Sequence, residues 1–300
     1  MSLNIIITGA TGLIATELTK DLLENTDYHL ILVSRNPEKI KQSFPGKAYR
    51  ISAITIDELA GKTATQQLQD AAVCIHTAFS RSKDDRLLAE SLEYTRVLCH
   101  ICKELKVSKF INLSSQSVYG NDYPLGITEE HPCAPSYMYA LGKYSSELIC
   151  ETIFEDSNVI LYNIRLASVA EEARFFFKFI ANTLEGIDIT VTAPHQTVSF
   201  IDSKDVVRAL RAVIDSKHAE SGCYNLGTGL WYDISTVAAI VKKIGIEKFH
   251  INGIKITETD NGTATGVGMN VDKFKHTFNW EPLYSFDDMV TDAYNLKINE

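Results

Sequence analysis

Tyr139 and Lys143 stand four residues apart in Tyr139-Ala140-Leu141-Gly142-Lys143. On a helix that spacing puts both side chains on one face, one turn apart. A phenol beside an ammonium is a proton-transfer pair, because the positive charge favours the phenolate. Tyr139 then becomes usable as a general acid or base near neutrality. Such a spacing also arises by chance on exposed helices, so the weight rests on what precedes it. The chain opens with Thr8-Gly9-Ala10-Thr11-Gly12-Leu13-Ile14-Ala15, a glycine-rich turn.

Ile5-Ile6-Ile7 reads as a buried strand, and Leu13 to Leu23 has helical spacing. The glycines therefore sit where a strand meets a helix N-terminus, the context a dinucleotide cradle needs. Gly9 permits a tight turn, and Gly12 lets the backbone approach a pyrophosphate. The backbone N–H groups of Thr11, Gly12, Leu13 and Ile14, with the helix dipole, bind the negative charge. Ala15 stands where a third glycine is usual, and its small side chain still permits close helix–strand packing.

The second strand ends in Leu32-Val33-Ser34-Arg35-Asn36-Pro37. An NAD site places a carboxylate near this point to accept from the ribose hydroxyls. Here Ser34 and Arg35 take its place. A guanidinium clamps a 2′-phosphate, so the residues favour NADP over NAD. Further on, Phe110-Ile111-Asn112-Leu113-Ser114-Ser115 delivers serines at the carboxyl end of a strand, where ligands of a doubly wound sheet sit. Ser115 joins Tyr139 and Lys143 as a candidate catalytic residue.

The elements that must position these groups follow from periodicity. Apolar runs occur at 3–7, 29–33, 72–76, 109–113 and 159–164, with helical periodicity over 12–24, 86–105 and 139–154. Strands alternating with helices imply βαβ units and a parallel sheet. A strand near 48–56 and a short helix near 63–70 complete the first half. The 86–105 helix carries two apolar stripes, one through Leu88, Leu92, Thr95, Cys99 and Cys102, the other through Leu87, Tyr94, Leu98, Ile101 and Leu105. One stripe covers a sheet. The second calls for another surface, either a partner subunit or the C-terminal lobe.

The chain has 300 residues, 45% of them hydrophobic and 22% charged, which suits one large α/β domain or two joined ones. The net charge is −9 and there is no Lys/Arg-rich run, which argues against a nucleic-acid partner. No apolar stretch reaches the length of a membrane span. The N-terminus has no signal-peptide pattern, so a cytoplasmic location is expected. The six cysteines are scattered through apolar patterns and read as reduced core thiols. Cys99 and Cys102 alone do not make a zinc site, and no metal is expected.

Taken together, these segments resemble the extended short-chain dehydrogenase/reductases, the NAD(P)-dependent epimerase/dehydratase group, nearly end to end. Thr8-Gly9-Ala10-Thr11-Gly12 is similar to the opening turn, and Val73-Cys74-Ile75-His76-Thr77-Ala78 to the strand beside the nicotinamide. Leu113-Ser114-Ser115-Gln116-Ser117-Val118-Tyr119-Gly120 resembles the serine segment, and Tyr139/Lys143 the Tyr-x-x-x-Lys pair. Phe200-Ile201-Asp202-Ser203-Lys204-Asp205-Val206, Cys223-Tyr224-Asn225-Leu226-Gly227-Thr228-Gly229 and Asn279-Trp280-Glu281-Pro282 resemble three later segments.

The resemblance implies a doubly wound parallel sheet (Rossmann) over 1–165, with a return segment near 198–228, and a smaller C-terminal substrate-binding lobe over 166–300. It implies that Ser115 hydrogen-bonds the reacting oxygen, that Tyr139 exchanges its proton, and that Lys143 binds the nicotinamide ribose. Thr77 and Ala78 join the cofactor contacts, and His76 is a strand-end residue rather than a base. A homodimer through the helices near 86–105 and 139–154 is also implied.

The departures bear on substrate. Many nucleotide-sugar members carry arginines before the Phe-Ile-x-x-x-Asp stretch and before the C-terminal segment, where they meet a diphosphate. Here 194–199 and 263–268 have none, and no arginine follows Arg211. The expectation is hydride transfer at a hydroxyl or carbonyl carbon of a small, sugar-like molecule. A one-way NADPH-dependent carbonyl reductase and a non-catalytic NADP-binding redox sensor remain as alternatives.

Overall fold

The computed structural model describes residues 3–61, 71–82, 84–121, 123–259, 266 and 268–299. The helix expected near 63–70 lies outside them. The chain divides into two compact units. The first comprises Met1–Val118, Cys133–Arg165 and Val207–Tyr224; the second comprises Tyr119–Pro132, Leu166–Val206 and Asn225–Glu300.

The first unit is built on a seven-stranded parallel sheet. Its strands are β1 (Asn4–Thr8), β2 (His29–Val33), β3 (Ile51–Ile54), β4 (Ala71–His76), β5 (Lys109–Ser115), β6 (Ile160–Leu166) and the Gly222–Leu226 strand. The order is Gly222–Leu226, β6, β5, β4, β1, β2, β3. Ile5, Ile6 and Ile7 are fully buried, as a strand covered on both faces requires. From β1 the chain winds outward to β2 and β3, then returns to the other side through β4, β5 and β6. The strand order therefore reverses beside β1, the point at which such sheets bind ligands.

The register sets the carboxyl edge. Thr8 of β1 pairs with Val33 of β2 and with His76 of β4, and His76 pairs with Asn112 of β5. The residues that follow, Gly9, Ser34 and Thr77, therefore emerge at one end of the sheet.

Helix α1 (Leu13–Asn25) buries Ile14, Ala15, Leu18, Leu22 and Leu23. The Asp85–Glu104 helix buries Thr95, Leu98, Cys99, Ile101 and Cys102. The stripe through Leu88 and Cys99 faces the Met138–Phe154 helix of the same unit. The sulfurs of Cys99 and Cys150 lie 3.5 Å apart across that contact. One surface of this helix is thus an intramolecular helix pair, and Tyr94 of the other stripe stacks on His76 of β4.

Among its described residues the second unit has three two-stranded sheets and an aromatic core. Phe176 and Phe200 are buried, and Phe200 stacks on Phe286 with centroids 5.0 Å apart. The Phe175–Phe179 run supplies this core: Phe176 and Phe179 are buried, and Phe175 packs on Phe200. Buried Asp205 accepts the backbone N–H groups of Leu283 and Tyr284 and so anchors the loop after Pro282. Among the described residues, no helix is long and apolar enough to cross a membrane.

Candidate active site

The turn after β1 has the shape of an anion cradle. Gly9 adopts φ +66°, which favours glycine. A Cβ there would meet Thr77 Oγ1 at 2.7 Å and the Ala78 backbone N at 2.8 Å. Gly9, Thr77 and Ala78 are therefore in close contact, and Thr77 Oγ1 donates to Thr8 O at 2.7 Å. Gly12 N donates to Gly9 O at 2.8 Å and closes the turn. Gly12 is also the N-cap of α1, and no side chain caps the helix. The first helical N–H groups, beginning with Leu13 and Ile14, are left to an external acceptor. Thr11 and Gly12 are exposed, while Ala15 is fully buried against the sheet. A cradle that a Cβ would fill, next to uncapped helix N–H groups, fits the pyrophosphate of a dinucleotide.

At the end of β2, Ser34 N donates to Ile54 O and Ser34 Oγ accepts from Asn36 N at 3.1 Å. Arg35 is exposed. It stands two residues beyond Val33, the last residue of β2.

The candidate pair, Tyr139 and Lys143, lies in the Met138–Phe154 helix. Lys143 is 5% exposed, and its Nζ donates to Leu113 O on β5 at 2.6 Å. The same Nζ lies 5.9 Å from the centroid of the half-buried Tyr139 ring. Ser115, two residues beyond Leu113, is half-buried, and its Oγ meets Ser117 Oγ at 3.0 Å. β5 thus carries both the carbonyl that holds Lys143 and the serine expected to act with Tyr139. Arg81 Cζ is 6.0 Å from the Tyr139 ring, and the Tyr137 ring stacks on Tyr139 at 6.4 Å.

His76 is fixed in one neutral form. Thr95 Oγ1 donates to Ser91 O at 2.9 Å, so toward His76 Nε2, at 3.0 Å, it accepts. Nε2 therefore carries the proton, and Nδ1 accepts from Thr8 Oγ1 at 2.8 Å. Burial, with the Lys143 charge nearby, lowers the imidazole pKa to about 3. His76 is a buried clamp between β1, β4 and the Asp85–Glu104 helix.

One turn beyond Lys143 the chemistry becomes structural. Arg165 and Glu147 form a bidentate pair, with Nη2–Oε2 at 2.7 Å and Nε–Oε1 at 3.1 Å, 6% and 1% exposed. Ser114 Oγ also donates to Glu147. Glu147, Glu151 and Cys223 bring ligand-type atoms within 4.8 Å of one another. Arg165 already neutralises Glu147, however, and burial with Glu147 nearby pushes the Cys223 thiol up to about 12.

A model of the NAD dependent epimerase/dehydratase family matches residues 5–227. The chain belongs to that family. Among curated proteins it is 21% identical to an uncharacterized UDP-glucose epimerase, YtcB, of Bacillus subtilis over 96% of each chain. It is 22% identical to the low-salt glycan biosynthesis protein Agl12 of Haloferax volcanii, over 95% of this chain and 96% of the relative. Among solved structures it is similar to UDP-glucuronic acid 4-epimerase from Bacillus cereus, in complex with UDP-glucuronic acid and NAD. That match has a TM-score of 0.82 at 22% identity, over 99% of this chain and 100% of the other. A dTDP-glucose 4,6-dehydratase from Streptomyces venezuelae, with NAD bound, gives 0.77 at 17% identity over 99% and 98%. The family membership thus stands on the sequence, and the Rossmann sheet on the fold as well.

Two features of this family member had no signal in its sequence. Phe79 lies against both Tyr139 and Lys143. Glu147 pairs with Arg165 at a sequence separation that follows no helical or strand period. Both depend on side chains meeting between elements.

Proposed function

We propose that this protein carries out hydride transfer at a hydroxyl- or carbonyl-bearing carbon of a small, sugar-like substrate. The observation that carries the reading is the buried Lys143, held to β5 just before Ser115 and lying 5.9 Å from the Tyr139 ring. Ser115 hydrogen-bonds the reacting oxygen. Tyr139 gives the proton to that oxygen or takes it. Lys143 holds the ribose of the nicotinamide half and favours the phenolate of Tyr139. Gly9, Thr11, Gly12, Leu13 and Ile14 hold the pyrophosphate, with Thr77 and Ala78 along the neighbouring strand end. The dinucleotide, when bound, supplies or accepts the hydride.

The cofactor is NADP in preference to NAD. Arg35 is exposed at the end of β2, where a carboxylate would select the unphosphorylated ribose. The relatives of known structure named above were crystallised with NAD, so this preference belongs to this chain's own Ser34-Arg35 pair. The substrate is a free or simply modified sugar: no arginine follows Arg211 to hold a diphosphate. The working unit is a homodimer. Leu141 and Leu148, seven residues apart on the Met138–Phe154 helix, are 45% and 44% exposed and suit such a contact.

Titration of the purified protein with NADPH and with NADH, followed by nicotinamide fluorescence, tests the cofactor reading. NADPH is expected to bind at least tenfold more tightly, and Arg35→Glu to remove that advantage, about 1.4 kcal/mol or more. Equal affinities, or a tighter NADH, would remove the role of Arg35. Sedimentation equilibrium of the same preparation is expected to give a dimer; a monomer at high concentration removes that part of the reading.

A further inference from the structure

Phe79 lies three residues beyond His76, in the segment that follows β4, and meets both members of the Tyr139/Lys143 pair. Its ring centroid is 4.5 Å from Lys143 Nζ. Its ring also stands edge-on to Tyr139, with centroids 6.0 Å apart and planes at 79°. Gly142 makes room for it. A Cβ on residue 142 would lie 2.8 Å from Phe79 Cζ and 2.2 Å from Leu88 Cδ1. A glycine inside a helix costs about 0.5–1 kcal/mol relative to alanine. Here the close approach of Phe79 and Leu88 leaves no space for anything larger.

We infer that Phe79 is a positioning residue whose ring face fixes the Lys143 ammonium for the nicotinamide half of the dinucleotide, with Gly142 as the gap that admits the ring. The inference rests on the role given above to Lys143. An ammonium on a flexible four-carbon stem is narrowed in position by each contact it makes. The bond to Leu113 O is one anchor. The negative face of an aromatic ring at 4.5 Å is a second, and burial strengthens it. An aliphatic side chain of similar size fills the same space but offers no such face. Tyrosine keeps the face.

The test is calorimetric binding of two probes to wild type, Phe79→Leu and Phe79→Tyr. NADPH reports the whole dinucleotide, and 2′,5′-ADP reports the adenosine half alone. If NADH is the tighter dinucleotide, NADH and 5′-ADP take their places. Phe79→Leu is expected to weaken NADPH binding by about three- to thirtyfold, while 2′,5′-ADP stays within about twofold. Phe79→Tyr is expected to bind both probes like wild type. In a Lys143→Met background, Phe79→Leu should cause no further loss, because no ammonium remains to be held. Gly142→Ala, whose methyl displaces the ring, should reproduce the selective loss and serves if Phe79→Leu does not fold.

Three results would overturn the inference. They are unchanged NADPH binding in Phe79→Leu, loss of both probes in step, or equal losses in the leucine and tyrosine variants. Wild type that binds neither dinucleotide would overturn the parent reading, and this role with it. The 2′,5′-ADP control separates that failure from a failure confined to Phe79.

Discussion

Two buried charges sit one turn apart on the Met138–Phe154 helix and are handled in opposite ways. Glu147 is clamped bidentately by Arg165 and also accepts from Ser114, so its charge is cancelled on the spot. Lys143 is held by a backbone carbonyl and by the face of a phenyl ring, contacts that carry no formal charge. Its positive field reaches His76, whose pKa it helps to depress, and it lies within 6 Å of the Tyr139 ring. Local pairing of a charge produces structure. The Lys143 charge still acts on a neighbour, as the proposed role of Tyr139 requires.

The sharpest way to break this comparison is to remove the partners one at a time. Glu147→Ala leaves Arg165 buried without its carboxylate, and the expected loss of stability is about 3–5 kcal/mol. Urea unfolding reads it as a lower midpoint at unchanged slope. Glu147→Leu combined with Arg165→Met is expected to recover most of that loss, since a packed apolar pair needs no compensation. Lys143→Met, by contrast, is expected to spare the midpoint and to weaken dinucleotide binding. If Glu147→Ala unfolds at the wild-type urea concentration, the reading of Glu147 as a locally cancelled charge is wrong.

A smaller effect concerns His76. Its folded pKa is lowered to about 3 from 6.5, because burial opposes the imidazolium. The unfolded chain takes up a proton below pH 6.5 that the folded imidazole refuses. His76 is therefore harmless above pH 6.5, and stability is lost as the pH falls from there toward about 3. By pH 5 the loss amounts to about 2 kcal/mol. The check is the change in unfolding free energy between pH 7 and pH 5, which His76→Gln is expected to flatten. A variant with the same pH dependence as wild type would place the acid sensitivity elsewhere.

The cradle and the pair were readable in the sequence because each is local. A strand, two glycines and a helix follow one another in Ile5–Leu23, and the structure realises them as β1, the turn at Gly9 and α1. The Tyr139–Lys143 spacing needs only a helix, and one spans Met138–Phe154. The strand expected near 48–56 is present as Ile51–Ile54. Contacts between elements were not readable. Phe79 reaches Lys143 across more than sixty positions of sequence, and Gly142 reads as an ordinary helix weakness until Phe79 and Leu88 are seen beside it. The two stripes of the Asp85–Glu104 helix illustrate the same limit: periodicity reveals a face but not what covers it. The stripe through Cys99 is met by Cys150 of the neighbouring helix, and Tyr94 of the other stripe stacks on His76 of β4.

Transfer of deuterium from nicotinamide-deuterated NADPH to carbon is the measurement that tests the central claim most directly. The protein, with a panel of free and simply modified keto-sugars, is expected to place the label on carbon in at least one product, read by mass spectrometry. Tyr139→Phe is expected to slow that transfer by about 10²–10⁴-fold while NADPH binding is unchanged. A protein that binds NADPH yet labels nothing, or a Tyr139→Phe variant that transfers as fast as wild type, would contradict the account.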